Sequence, residues 1–507
     1  YELRTDYTYN LRSWIKGING PLFNQTLNYQ ETLEGTTPCY NGNISRMCWR
    51  SVENGMATVI DPQEKGYSFT YDGLSRLKDA IYGEGTNLKQ NRNRFNEQIT
   101  GYDKMGNILG LLRYGQTGTD SYGLVDNLNL IYHGNQLQSV YDNATNSVFG
   151  NGMEFKDNVN ETVEYEYDKN GNLAKDLNKK ISEIQYNILN LPSHISFADG
   201  SSIEYEYAAD GRKVRTTHTI NNNVTSTVYC GNAIYENGSL KMLLNEAGYY
   251  SFQDNKFHFC LKDHQGNVRV VTDEAGNVDE VNDYYPFGGL MSNGCNNVQP
   301  YKYNGKELDQ KGGLDWYDYG ARMYDATLGR FMKTDRFLEK YVSLSPYQYG
   351  ANNPVNNIDI NGDSIWYTRN GDIVTMHVTA KIFNNSSDNI NMARAAKDIV
   401  SDIKSTYEGK FEWSDNKTYN LKVDMDLKVA TSMKDVENSD HLFVLADSDS
   451  KGARGATSML GGKVMTLASS DFANNNWLSN NLSYNKTFTA THEFGHAIGI
   501  ITFAESI

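Results

Sequence analysis

A chain of 507 residues exceeds one ordinary hydrophobic core and has room for two or three domains. Hydrophobic residues at 39% and charged residues at 21% are those of a folded chain. The net charge of −15 argues against a nucleic-acid partner, which needs a basic footprint on the protein. No run approaches the ~18–20 apolar residues that cross a bilayer, so no membrane span is expected. The 36 Tyr and 44 Gly, against only 8 Pro, favour many short strands joined by tight turns, because aromatic side chains suit a half-buried pleated surface and Gly supplies positive φ. The five cysteines (Cys39, Cys48, Cys230, Cys260 and Cys295) are too few and scattered for a disulfide framework or a zinc knuckle, and are expected as small buried residues. The chain begins at Tyr1 and stops at Ile507, close behind a histidine motif; it reads as a fragment, with no secretion signal in view.

From the N-terminus the organising signal is an internal repeat. An aromatic-rich strand ends in Tyr, followed by Asp or Asn, a Gly-led or polar turn, and an apolar residue. It appears as Tyr71-Asp72-Gly73-Leu74-Ser75-Arg76-Leu77, as Tyr102-Asp103-Lys104-Met105-Gly106-Asn107-Ile108, and best as Tyr167-Asp168-Lys169-Asn170-Gly171-Asn172-Leu173. Looser copies start at Tyr9, Tyr132, Tyr186 and Tyr207. Asp-x-x-Gly places a turn former at the chain reversal, and Gly106 or Gly171 can take the left-handed conformation. Alternation such as Val163-Glu164-Tyr165-Glu166-Tyr167 predicts a strand with one aromatic and one charged face. Successive hairpins then pair into one continuing sheet, since a lone hairpin cannot bury its face.

A block of further motifs follows: Asp263-His264-Gln265-Gly266-Asn267-Val268-Arg269, Tyr284-Tyr285-Pro286-Phe287-Gly288, Tyr303-Asn304-Gly305-Lys306-Glu307, the run Asp315 to Asp325, Gly329-Arg330-Phe331, and Tyr347 to Asn356. With the Tyr-Asp repeats, this block resembles the RHS-repeat, or YD-repeat, family and its RHS-associated core domain. The resemblance covers residues 1–363. It implies a cocoon-like β-sheet shell enclosing its own variable C-terminal passenger, often a toxin. It also implies an aspartyl autoprotease in the core domain, cutting just after a DPxG-like element. Here that element is Asp359-Ile360-Asn361-Gly362-Asp363, with Ile360 where Pro is usual, and the cut is expected near Asp363–Ser364. The residues matching the family's pair are Asp335 and Asp359; for both, a turn-capping role is the alternative. Two carboxylates sharing a proton can activate water for peptide hydrolysis.

Past Gly362 the Tyr-Asp-Gly texture stops. Alternation predicts strands over 373–383, 421–429, 441–446 and 463–468, the third nearly continuous in apolar residues and so suited to a sheet interior. Between the first two, Met392, Ala396, Ile399, Ile403 and Tyr407 recur at helical spacing over 389–408, with Asp388 or Asn389 as the cap. A last helix, capped by Thr487 or Thr489, carries His492-Glu493-Phe494-Gly495-His496. Positions i and i+4 share one helix face, so His492 and His496 can bind the same Zn²⁺ while Glu493 serves the metal-bound water as general base. HEFGHAIG resembles the HExxHxxG of metzincin-like zinc peptidases, as does the order strand, helix, three strands, active-site helix. The resemblance implies a substrate-binding edge strand at about 463–468 and a third His where Thr502 stands; Glu505 is the one other downstream residue with a suitable ligand atom.

The expected fold is therefore mainly β: a YD-repeat shell over 1–250, a core domain over 251–363, and a small α+β zincin-like domain over 364–507, truncated at its end. The expected function is an RHS-type polymorphic toxin, secreted or displayed at the cell surface and delivered into target cells. Its passenger is expected to hydrolyse peptide bonds in target proteins with Zn²⁺ as cofactor, and an immunity protein is its expected partner. The alternative is a non-enzymatic YD-repeat surface or adhesion protein with a degenerate passenger. A nuclease passenger ranks last, for want of a basic patch.

Overall fold

A computed structural model describes residues 3–12, 14–52, 63–209, 211–291, 298–340, 343–359, 366–370, 373–412, 418–432, 441–447, 455–457 and 464–468. The chain divides into two compact units, Tyr1–Gly362 and Asp363–Ile507. The fold is mainly β, as its Tyr- and Gly-rich sequence implies.

The first unit contains three antiparallel meanders. Ten strands run in sequence order from Asp6–Tyr9 to Gln136–Asp142, thirteen from Tyr165–Tyr167 to Val278–Val281, and four from Glu307–Asp309 to Arg330–Phe331. The boundary expected at 250/251 falls inside the strand Gly248–Ser251, in the interior of the thirteen-stranded sheet.

The two clearest Tyr-Asp units, and two further Asp turns that lack the Tyr, close in the same way. One carboxylate oxygen of Asp103 accepts from the backbone N–H groups of Met105 and Asn107, both at 2.8 Å, and the other accepts from the Asn107 side chain at 2.7 Å. Asp168 does this for Asn170 and Asn172, Asp263 for Gln265 and Asn267, and Asp273 for Ala275 and Asn277. The fourth turn residue is left-handed throughout: Gly106 at φ 86°, Gly171 at 78°, Gly266 at 79°, with Ser75 and Asn190 tolerating the same region in the copies that lack Gly. The repeat's Tyr then reaches back one unit. The hydroxyl of Tyr102 donates to the carbonyl of Leu77, that of Tyr132 to Ile108 and that of Tyr186 to Leu173, in each case the first apolar residue after the preceding turn.

Alternation of the strands holds where a strand continues and breaks where it ends. In Ser202–Tyr207, Ile203 and Tyr205 are buried while Glu204 and Glu206 are exposed. Around Tyr165 the expected alternation fails: Val163 is exposed and Glu164 buried. Glu164 is recruited by the seam between the two large sheets, where it accepts from Val140 N–H and the Asn178 amide. Cysteines follow expectation in part, since Cys48 is buried, Cys39 and Cys260 partly so, and Cys230 exposed; Cys295 lies outside the described residues.

One core joins both large sheets to the segment after residue 283, through Trp49, Tyr67, Leu111, Leu173, Ile195, Phe287 and Trp316. Beside it Tyr303, Tyr317, Tyr319, Tyr324 and Tyr349 pack together with Phe331. Buried phenols need acceptors. The hydroxyls of Tyr303, Tyr317 and Tyr324 donate to the carbonyls of Pro286, Gly288 and Phe287, and Tyr319 and Tyr349 share the Asn304 side-chain oxygen.

In the second unit the strands lie in the order Gly409–Glu412, Thr418–Val429, Ile373–Asn384, His441–Ala446, Val464–Ala468, Gly455–Thr457, with Trp366–Asn370 paired to Ile373–Asn384. The four long central strands are parallel, and Gly455–Thr457 runs antiparallel at the edge. The strand expected at the edge, 463–468, is thus interior; the three residues from Gly455 are too short to show a period. The helix Met392–Tyr407 buries Ala395, Ala396, Ile399 and Ile403, and its cap is Asn391, which accepts from Arg394 N–H, rather than Asp388 or Asn389. Among the described residues no helix is long and apolar enough to cross a membrane.

Two stability predictions follow from this geometry. Gly266→Ala meets nothing within 4 Å and should cost only the left-handed backbone penalty of about 1–2 kcal/mol. Gly171→Ala, whose new Cβ would lie 2.8 Å from Thr334 Cγ2 and 2.9 Å from the Tyr347 hydroxyl, should cost about 1–3 kcal/mol more in urea unfolding. The second concerns Asp176, fully buried and pushed up to about 7 by burial, against the opposing charge of Lys179. Because the folded state then holds this proton more tightly than the unfolded chain, its contribution is present in acid. It is lost as pH rises from about 4 to about 7, on the order of 4 kcal/mol. Asp176→Asn should remove that slope from melting temperatures measured across pH 4–8.

Candidate functional site: a buried Asp-Arg-Asp group

Asp335 and Asp359 come together around Arg322. Arg322 precedes the strand Met323–Asp325, Asp335 follows Arg330–Phe331, and Asp359 follows the 3-10 turn Gly350–Asn352. One guanidinium nitrogen, Nη2, lies 2.8 Å from Oδ2 of Asp335 and 2.8 Å from Oδ2 of Asp359, so those oxygens are at most twice that distance apart. The Arg322 side chain is 2% exposed, its guanidinium sits 3.7 Å from the Phe331 ring centroid, and Nη1 donates to the Pro346 carbonyl at 3.2 Å. Burial and stacking leave the cation one orientation, and its Nη2 then sets the two carboxylates.

The carboxylates are not equivalent. Asp335 also accepts from the backbone N–H of Phe337 at 2.8 Å, and its own N–H donates to the Pro346 carbonyl at 2.8 Å. It therefore fills the turn-capping role as well as pairing with Arg322. Oδ1 of Asp359 is buried and has no hydrogen-bond partner among the described residues, and Nε of Arg322 is likewise unpartnered there. A buried polar atom without a partner carries a desolvation cost, and a bound water could meet it here. Next to the site, Lys333 is buried, donates to the Asn190 carbonyl at 2.6 Å and is pushed down to about 8 by burial, with Arg322 and Arg336 adding to the effect.

Of the residues singled out from sequence, Asp335 and Asp359 are thus placed as a pair. His492, Glu493, His496, Thr502 and Glu505 lie outside the described residues. Among the described residues no group of three or more His, Cys, Asp or Glu is arranged to hold a metal ion. Arg322 was missed by sequence reasoning. Its signal was available, since an Arg inside the aromatic run from Trp316 to Tyr324 must find a buried counter-charge.

No protein-family model matches the chain. Among curated proteins it is 32% identical over 223 residues to Salivary gland surface protein 1 of Aedes aegypti, a match covering 39% of this chain and 6% of that protein. It is 27% identical over 221 residues to the tRNA3(Ser)-specific nuclease WapA of Bacillus spizizenii, covering 40% of this chain and 9% of the relative. To tRNA nuclease WapA of Bacillus subtilis it is 24% identical over 345 residues, covering 65% and 12%. The chain therefore spans only a small part of each of these relatives. Among solved structures it is similar to TcdB2-TccC3-TEV, with a TM-score of 0.41 and 17% identity over 71% of this chain and 21% of that one. The Tc holotoxin pore of Photorhabdus luminescens gives a TM-score of 0.40 and 16% identity over the same shares.

Proposed function

We propose that residues 1–362 form the shell of an RHS-type toxin, that this shell cuts its own chain just beyond Asp359, and that the released C-terminal unit is an enzyme. The observation that carries the reading is the Arg322-bridged pair of Asp335 and Asp359, three residues before the end of the first compact unit. In the step proposed, one carboxylate takes a proton from a water whose oxygen attacks the scissile carbonyl. The C–N bond breaks, and the proton passes to the leaving amine. The two WapA relatives are named as nucleases, which supports an enzyme as the released unit.

For the passenger we keep the zinc-peptidase reading, supported by the HEFGH run. On this reading His492 and His496 would hold Zn²⁺, which would supply Lewis-acid chemistry when bound, and Glu493 would move the proton from water to the leaving amine. Two further readings each have an observation in their favour. The WapA relatives are named as tRNA nucleases, which restores a nucleic acid as candidate substrate, and the Aedes aegypti relative is named a surface protein, which suits a non-enzymatic role.

Purified chain on a denaturing gel should yield a C-terminal fragment of about 16 kDa, at an ordinary mean residue mass. Asp335→Asn and Asp359→Asn should each leave one full-length band, and a single band from the unaltered chain would overturn the self-cleavage reading. The fragment should hydrolyse a protein substrate, with the activity lost on adding a chelator and reduced at least about a hundredfold by Glu493→Ala. Cleavage of tRNA with no proteolysis would instead select the nuclease, and neither activity the surface protein.

A further inference from the structure

The residues that lead into Asp359 are held from several distant parts of the repeat sheet. The Asn352 side chain donates to the Gly106 carbonyl at 2.7 Å, and that of Asn353 to Asn43 Oδ1 at 3.1 Å. Asn356 accepts from Ile44 N–H at 3.0 Å and donates to the Tyr71 hydroxyl at 3.2 Å and to Asn353 Oδ1 at 2.6 Å. From the turn after Asp263, His264 Nε2 donates to the Val355 carbonyl at 3.1 Å. The buried Gln265 amide donates to the Pro354 carbonyl and lies 3.5 Å from that of Asn357. Every residue from Asn352 to Asn357 is thus tied down, and Asp359 stands two residues further on.

We infer that Gln265 and Asn356 are positioning residues for self-cleavage: their amides fix the backbone of 354–357 and through it the place of Asp359 beside Arg322 and Asp335. The inference rests on the reading in which those two aspartates cut the chain. Neither amide touches the reacting group, and neither is needed to pair the strands of the large sheets. Their loss should loosen one short segment and leave the core intact. Reaction rates fall steeply when a reacting group shifts by a fraction of its bond distances, so the effect belongs in the rate rather than in the stability.

The test is the rate of self-cleavage in refolded full-length chain, followed on gels across pH, with melting temperatures measured on the same samples. Gln265→Met keeps length and packing but removes the donor; Asn356→Ala removes the link to Ile44 and Tyr71. Each should slow cleavage about tenfold or more with melting within a few degrees of the parent. Gln265→Glu supplies the separating readout. Its carboxyl can donate to the Pro354 carbonyl only when protonated. Its rate relative to the parent should therefore approach one in acid and fall about tenfold towards neutral pH. If the parent is never cut, the assignment of Asp335 and Asp359 fails and this inference with it. If the parent is cut and Asp335→Asn is not, but Gln265→Met is cut at the parent rate, the positioning role alone is overturned. Slow cleavage matched by a large fall in melting temperature, with no pH dependence in Gln265→Glu, overturns it too.

Discussion

The structure depends on how a Tyr-Asp unit disposes of its backbone polar groups. A tight reversal leaves N–H groups pointing inward with no strand to receive them, and a buried unpaired N–H is costly. The Asp at the start of the turn offers one carboxylate oxygen to the N–H groups of the second and fourth residues that follow, and the other to the fourth residue's side chain. The Tyr before it is too large to remain exposed and carries a hydroxyl that needs an acceptor once buried. That acceptor is the carbonyl of the preceding unit. Each unit therefore fixes the next, and the two large sheets of the first compact unit grow as a quasi-linear array in strict sequence order. The abundance of Tyr and Gly is the compositional trace of this one device.

A linear array still has to be joined to the segment that follows it, and charge makes that joint. Arg113 on the ten-stranded sheet pairs with Glu97 and Asp126, and also donates to the Thr327 carbonyl, while Glu97 accepts from Phe287 N–H. Asp283 receives Trp49, Lys65 and Arg269. Lys213 joins Glu307 and Asp318. Burying such groups costs several kcal/mol of desolvation per ion, and apolar replacements of the same volume are often no less stable. What the ions provide is register. A greasy contact would accept the aromatic block of 284–331 in several positions, whereas a planar guanidinium with both forks engaged accepts one.

These two layers differ in how far the sequence discloses them. The turn device is local, so Asp103, Gly106 and Tyr102 announce it within seven residues. The helix Met392–Tyr407 and the parallel strands of the second unit were legible for the same reason, since period and burial act over one element. The buried joints were not. Nothing near Gln265 says that its amide meets Pro354, and nothing near Arg322 says which carboxylates answer it, because those contacts span tens of residues and depend on the completed sheet. Glu164 shows the conflict between levels: local alternation assigns it to the charged face, and the seam between two sheets draws it inside to cap Val140. The three-residue edge strand Gly455–Thr457 was invisible because so short a segment carries no period.

The sequence pointed to Asp335 and Asp359 as equal members of a proton-sharing pair, and the geometry makes them unequal. Both oxygens of Asp335 are committed, one to Arg322 and one to Phe337 N–H, and its backbone is fixed to Pro346. Asp359 gives one oxygen to the same guanidinium nitrogen, and its other oxygen is buried with no hydrogen-bond partner among the described residues. On the self-cleavage reading, only that second oxygen is free to hold a water or receive its proton, so Asp359 is the group that moves the proton. Asp335 and Arg322 then act as a fixed frame around it. A base carried on the strand it helps to cut must itself be held still. On the same reading, the net of amides on 352–357 would do this, and control of the chemistry would lie in the packing of the repeats as well as in the pair.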